Sequence, residues 1–415
     1  MKFIGKLLII FAVSLFLWVI NIVLVSAETQ PIKIGMSADF KGASRGLGIE
    51  LYQGSMAYFD YINKSGGIQG HPIIIQAYDD GYNPLPAIHN TIRLVEKDQV
   101  FLLFNYVGTP TVTRILPLLK MYHNQHMFLF FPFTGSQPHR QYPYDQFVFN
   151  LRASYREETS GLVKNFLKIG RKRIAVFYQI DAYGRSGWDG VKRQLQSANL
   201  NIVAEATYRR GTEYNESFQA QVDILKKAKP DAIISIGSYQ ASAGFIRDAR
   251  NGNWNIPIAN VSFVGSESLL NLLLKTGEKT GVEYTKNLIN SQVVPSYEDV
   301  SLPAVTEYRR LMDNYQKKLP LNLVDEDYQA LPYSFVSFEG FLNAKLLVEI
   351  LKKLPDLSDP SALPRTVENM NNLDLGIGVP INFNKKSHQG LHEIYYTTVK
   401  NDRFVPIIDW KQWSK

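Results

Sequence analysis

From residue 31 onward the chain alternates between two hydrophobic patterns. Short apolar runs rich in β-branched and aromatic residues, such as PIKIGMSADF at 31–40 and IAVFY at 174–178, are followed by longer stretches with apolar positions three and four apart. The first pattern predicts buried strands and the second amphipathic helices. Strands are predicted at 31–40, 72–78, 100–104 and 127–131, with helices at 51–62, 86–96 and 114–122 between them. A second series follows, with strands at 174–178, 202–208, 232–236 and 261–264 and helices at 187–196, 218–228 and 241–250. Two long helices, 303–318 and 337–353, precede an antiparallel hairpin of 380–383 with 393–399, and 404–408 comes after it. Alternation of this kind predicts parallel sheets with right-handed crossovers. A chain of 415 residues suits two lobes better than one core.

The first residues follow neither pattern. Lys2 and Lys6 precede a nearly pure apolar run at 7–25, and Val25-Ser26-Ala27 places small residues where a signal peptidase cuts. The segment 1–27 is therefore expected to be a secretory signal cleaved after Ala27, with the mature chain outside the cytoplasm. An uncleaved anchor is the competing reading, because the run approaches spanning length. The chain has no cysteine, so disulfides, thiol nucleophiles and Cys-ligated zinc are excluded. A formal charge of +7 is spread in short runs, without the basic, aromatic-interleaved face that nucleic-acid binding requires.

Candidate chemistry is sparse. In parallel α/β sheets ligands collect beyond the carboxyl ends of the strands, and Tyr183 follows the predicted strand 174–178 at that end. The glycines at 42, 46 and 48 do not form G-x-G-x-x-G, and no Gly-Lys-Ser/Thr follows, which argues against a nucleotide site. No G-x-S-x-G elbow precedes a helix. His388 and His392 have the spacing of a metal pair, but Gly390 interrupts them in a predicted hairpin, so no metal or other cofactor is expected. By residue type alone, Tyr183 and Tyr239 read as packing aromatics or cleft walls. Glu267 reads as an acid in the first turn of a helix starting near Ser268, or as a ligand contact. Thr109 and Thr111 read as helix caps or ligand contacts, roles one residue can combine.

Several short motifs, weak singly, stand in an order that is specific together. They are Gly42-x5-Gly48-x5-Gly54, Gly66-Gly67-Ile68-x-Gly70, Tyr78-Asp79-Asp80, Asp181-Ala182-Tyr183-Gly184, Pro230-Asp231-Ala232, Gly237-Ser238-Tyr239 and Phe263-Val264-Gly265-Ser266-Glu267. With them the chain resembles the solute-binding proteins of branched-chain amino-acid (leucine/isoleucine/valine-type) ABC transporters, which have the type I periplasmic-binding fold. The resemblance implies an α/β protein of two doubly wound parallel-sheet lobes joined by a three-segment hinge. It implies lobe 1 at 28–150 and 296–375, and lobe 2 at 151–295 and, with the hinge, 376–415. It implies a monomer that closes on a small ligand, an amino acid or analogue, and delivers it to an ABC permease in the inner membrane without chemistry. The same fold can also serve an extracytoplasmic sensor that signals to a separate membrane partner.

The resemblance further implies that Glu267 and Tyr183, with Tyr239 beside them, meet the ligand's ammonium. On the opposite wall, the usual Ser and Thr that hold a ligand carboxylate are Val112 and Gly135 here, and a further aromatic position is Leu47. Thr109, Thr111 and Thr134 stand nearby, and loop amides at a helix start can also hold an anion. Phe133 and Tyr106 lie in the same loops, favouring a larger or aromatic ligand.

Overall fold

The computed structural model describes residues 30–315, 319–320, 323–324 and 328–415; the predicted signal segment and residues 316–318 of a predicted helix lie outside them. The first sheet holds five strands, β1 (Ile32–Ala38), β2 (Ile73–Asp79), β3 (Leu102–Phe104), β4 (Leu129–Phe130) and β5 (Val148–Phe149), in the order β2-β1-β3-β4-β5. Their pairings are all parallel. Five of the strands in the second sheet are also joined in parallel: β6 (Ile174–Gln179), β7 (Glu205–Tyr208), β8 (Ala232–Ile236), β9 (Ile258–Asn260) and β10 (Leu288–Gln292). Antiparallel β11 (Tyr395–Lys400) and β12 (Arg403–Pro406) complete the order β12-β11-β10-β9-β8-β6-β7. Central strands such as β8 are buried on both faces, as a sheet covered by helices on both sides requires.

Helices α1 (Arg45–Lys64), α2 (Pro84–Glu96) and α3 (Thr109–Met121) serve the first sheet. Helices α4 (Tyr155–Lys168), α5 (Ala182–Gln196), α6 (Gln219–Lys227), α7 (Tyr239–Asn251) and α8 (Ser266–Thr280) serve the second. Next come α9 (Pro303–Asn314) and α10 (Phe335–Lys352), which return to pack on α1. The α1–α10 crossing is close because two glycines allow it. A Cβ at Gly54 would collide with the Ser337 carbonyl, and one at Gly340 with the Leu51 carbonyl.

The chain crosses between the lobes at 150–154, where Asn150 N donates to His388 O at 2.7 Å and Leu391 N to Leu151 O at 2.9 Å. Two crossing segments therefore run side by side. Ser154 then starts α4 with a capping box: its hydroxyl accepts from Glu157 N, and the Glu157 carboxylate accepts from Ser154 N at 2.6 Å.

Three local expectations are corrected. The segment read as a strand at 261–264 is a 3-10 turn, Ser262–Val264, and the strand lies just before it. β-branched residues fit either, and the ladder's last bond is Val261 N to Ser235 O, after which Val264 N turns back to Val261 O. The closing hairpin pairs Tyr395–Lys400 with Arg403–Pro406 through Asn401 and Asp402, both at positive φ, and not with 380–383. Two such residues suit the tight turn that right-twisted strands favour. Helices α1, α3 and α5 begin at Arg45, Thr109 and Ala182, several residues before their predicted starts, because Gly46, Gly48, Pro110 and Gly184 all lie within early helical turns. Proline in a first turn forfeits no hydrogen bond.

Candidate functional site

The carboxyl ends of β1, β2, β3 and β4 face those of β6, β8 and β9, and the lobes touch across this cleft. Gly46 N donates to the Tyr239 hydroxyl at 3.3 Å. Gln179 Nε2 donates to the Tyr82 hydroxyl at 3.4 Å, and Arg210 Nη2 to Asn83 Oδ1 at 3.3 Å. Leu47 lies against Gly265, where a Cβ would approach the leucine Cδ2 to 2.7 Å. The arrangement is a closed one.

Aromatic rings from both lobes fill the middle. Phe263 lies 4.6 Å from Tyr183, 5.4 Å from Phe133 and 5.9 Å from Tyr82, centroid to centroid. Tyr155 stands 5.3 Å from Tyr183. Tyr183 is fully buried in the first turn of α5, where the Asp181 cap accepts from its N–H at 2.9 Å, and its hydroxyl donates to Gly237 O at 3.3 Å. The ring is thus held by neighbours of its own lobe, with the hydroxyl already engaged. Burial pushes that hydroxyl's pKa well up.

On the lobe 1 wall the hydroxyls satisfy one another. Thr109 Oγ1 and Thr134 Oγ1 are 2.7 Å apart, and Ser136 N donates to Thr134 Oγ1 at 3.3 Å. Thr111 Oγ1 donates to the carbonyls of Val107 and Gly108, at 2.6 and 2.8 Å. Val112 and Tyr106 belong to a separate apolar cluster inside lobe 1, where Tyr106 shares a hydrogen bond with Thr91. Gly135 is the seat of Tyr155: its carbonyl accepts from Tyr155 N at 2.7 Å, and a Cβ there would meet that nitrogen at 2.6 Å. Of the candidates, then, Leu47 and Tyr239 meet across the lobes at 46–47 and 265, and Phe133 and Tyr183 share the ring cluster through Phe263.

Glu267 stands apart from the rings, in the first turn of α8. Its Oε2 accepts from Phe335 N at 3.3 Å, at the start of α10. Its Oε1 is buried and has no hydrogen-bond partner among the described residues. Tyr297 stands beside the carboxylate without hydrogen-bond geometry to Oε1. Burial pushes the Glu267 pKa up to about 8, and the charge of Glu50 adds to the rise.

Residues 31–403 match the family model described as periplasmic binding protein. The chain belongs to the periplasmic binding protein family. This binding protein is similar to a possible leucine/isoleucine/valine-binding protein from Rhodopirellula baltica, at 28% identity and a TM-score of 0.82 over 94% of this chain and 100% of that one. It is 24% identical over 222 residues to Leu/Ile/Val-binding protein homolog 3 of Brucella melitensis, which covers 53% of this chain and only 58% of that relative. A fatty acid ABC transporter substrate-binding protein from Thermomonospora curvata shares the fold at 20% identity, with a TM-score of 0.74 over 91% of this chain and 92% of that one. The fold alone therefore does not select a ligand.

Three residues of the binding protein's cleft escaped sequence reading. Arg152, on the first crossing, is fully buried with its guanidinium 4.4 Å from the Phe133 centroid, and donates to Ser262 Oγ. Tyr155 has a buried hydroxyl without a hydrogen-bond partner among the described residues. Glu50 is buried on α1, and its pKa is pushed up to about 7 by burial. Its signal was faint: an acid whose neighbours three before and four after, Leu47 and Gly54, lie on a packing face. His388 and His392, the spaced pair, have separate partners in Glu368 at 3.2 Å and Glu157 at 2.6 Å.

Proposed function

We propose that this chain is the solute-binding component of an ABC importer and holds a small amine-bearing solute, an amino acid or a related compound, between its lobes. The observation that carries this reading is Glu267: a carboxylate buried at the cleft with one oxygen unpartnered among the described residues. Leaving such an oxygen unpaired in a dry site is costly, and an ammonium would satisfy it by a charge-assisted hydrogen bond. The names of the leucine/isoleucine/valine-binding relatives support an amine-bearing solute. In this reading the segment 1–27 is cleaved after Ala27, the mature monomer works in the periplasm, and hinge closure is the signal that the permease reads.

A thermal-shift panel of amino acids, amides and aromatic acids tests the proposal, followed by calorimetry on the best solute. Glu267→Ala should abolish affinity for an amine-bearing solute. Unchanged affinity would remove Glu267 from the site, and a panel in which no solute raises the melting temperature would count against solute binding.

A further inference from the structure

A single ammonium on Glu267 leaves the second acid unexplained. Glu50 is 1% exposed on α1, and Glu267 is 8% exposed on α8 of the other lobe. Both carboxylates reach the start of α10. Glu50 Oε2 accepts from Ser334 Oγ at 3.4 Å, and Glu267 Oε2 from the next residue's N–H. Glu50 Oε1 accepts from the Tyr328 hydroxyl at 3.0 Å and from Leu331 N at 2.9 Å. Oε1 of Glu267 is the unpartnered oxygen among the described residues.

Tyrosines surround the pair. Tyr297 adjoins Glu267, Tyr328 adjoins Glu50, and Tyr308 lies within electrostatic reach of both. Arg45 stacks on the Tyr328 ring, 5.7 Å from its centroid. Among the described residues no cationic side chain forms an ion pair with either carboxylate. A helix N-terminus accounts for one buried acid, since the helix dipole favours a negative charge there. It does not account for a second acid brought from the opposite lobe, because ionising either one raises the cost of ionising the other.

We infer that Glu50 and Glu267 together form a cation subsite with one carboxylate from each lobe, and that the solute carries a strongly basic group, an ammonium, amidinium or guanidinium, that bridges them. This rests on the solute-binding reading above and names the chemistry of the same site. The bridging cation ties the lobes together because each carboxylate belongs to a different one. Tyr297 and Tyr328 offer ring faces or hydroxyls to the same cation. In the closed chain without it, burial holds protons on the acids, to about pH 7 on Glu50 and about pH 8 on Glu267, so a cation that takes its place in the closed cleft displaces protons to solvent.

Calorimetry on the mature chain at pH 7, in buffers of different ionisation enthalpy, tests this with agmatine, putrescine and L-leucine as probes. A basic probe should bind with release of more than one proton, and Glu50→Gln should weaken it at least tenfold. The proton count on the unaltered chain needs no variant, so it stands even if Glu50→Gln folds poorly. Two outcomes overturn the subsite. One is that L-leucine alone binds, with affinity and proton release unchanged in Glu50→Gln but lost in Glu267→Gln; solute binding then stands without the bridge. The other is that neither these probes nor the wider panel bind, in which case the solute-binding reading fails and takes the subsite with it.

Discussion

Two clusters of buried charge flank the start of α10, and they are built on opposite plans. In the first, Arg152 supplies a cation. Its Nη1 lies 3.6 Å from Glu339 and its Nη2 3.9 Å from Glu158, while Glu158 also accepts from Ser262 N at 2.8 Å and Ser291 Oγ at 2.7 Å. In the second, Glu50 and Glu267 meet with no such cation among the described residues. Glu339 and Phe335 are one helical turn apart, so the two clusters share a neighbourhood and differ in content. The first carries its own counter-charge and belongs to the architecture of the hinge. The second has no counter-charge among the described residues, which is what the proposed cation subsite rests on.

Removing the counter-charge from the first cluster should have the largest effect. Arg152→Ala leaves Glu158 and Glu339 buried without an ion-pair partner among the described residues, and breaking a buried pair from one side costs about 3–5 kcal/mol. Burial already outweighs the pull of Arg152 on Glu339 and holds its pKa near 7, so Glu339 can take up a proton and soften part of that loss. Denaturant unfolding at pH 7 measures it. A loss below about 1 kcal/mol would mean that the first cluster is as tolerant as the second, and the division between them would fall.

The second cluster should respond to pH, with a sign that follows from linkage. The Glu267 pKa in the closed chain is about 8, above its ordinary value of 4.5. The stability of the protonated form is therefore fully present below about pH 4.5 and is lost as pH rises towards 8. At about 1.4 kcal/mol per unit, the limit is roughly 5 kcal/mol. Single substitutions of this kind change stability by about 0.5–3 kcal/mol, so about 2 kcal/mol is the expected loss for the solute-free chain. Glu267→Gln, which cannot ionise, should be more stable than the unaltered chain by about that amount at pH 8 and equal to it at pH 4.5. Asp80, also raised to about 8, titrates in both proteins, so the difference between their melting curves isolates Glu267. Curves that stay parallel from pH 5 to 8 would show that Glu267 is already ionised and satisfied.

The sequence carried these clusters unevenly. The alternation of strand and helix set out most of both sheets, because burial on both faces makes each parallel strand of sufficient length a continuous apolar run. It missed β5, which is two residues, and β10, which carries Asn290, Ser291 and Gln292. Tyr183, Tyr239 and Glu267 stood out because short motifs mark strand ends. Arg152 and Glu50 did not, for reasons of geometry. Arg152 becomes a cleft residue only when Glu158, Ser262 and Glu339 converge on it from α4, the turn after β9 and α10. Glu50 is a helix acid until Ser334, 284 positions away, arrives beside it. The turn at 262–264 and the hairpin through Asn401-Asp402 were misread locally, where β-branched residues and two polar ones suit more than one backbone.

The lobe 1 wall gives the smallest and most discriminating test. Its hydroxyls are satisfied within the wall, since Thr109 and Thr134 bond each other and Ser136 N closes the group. If that is their whole role, Thr109→Val should cost about 1 kcal/mol, the usual worth of one buried hydrogen bond. Affinity for a basic probe such as agmatine should then stay within about threefold, a change of roughly 0.7 kcal/mol or less. Unfolding and calorimetry on the same variant separate the two quantities. A tenfold loss of affinity with stability unchanged would make Thr109 a solute contact and move recognition onto both walls. A loss of stability alone would leave recognition with the carboxylates.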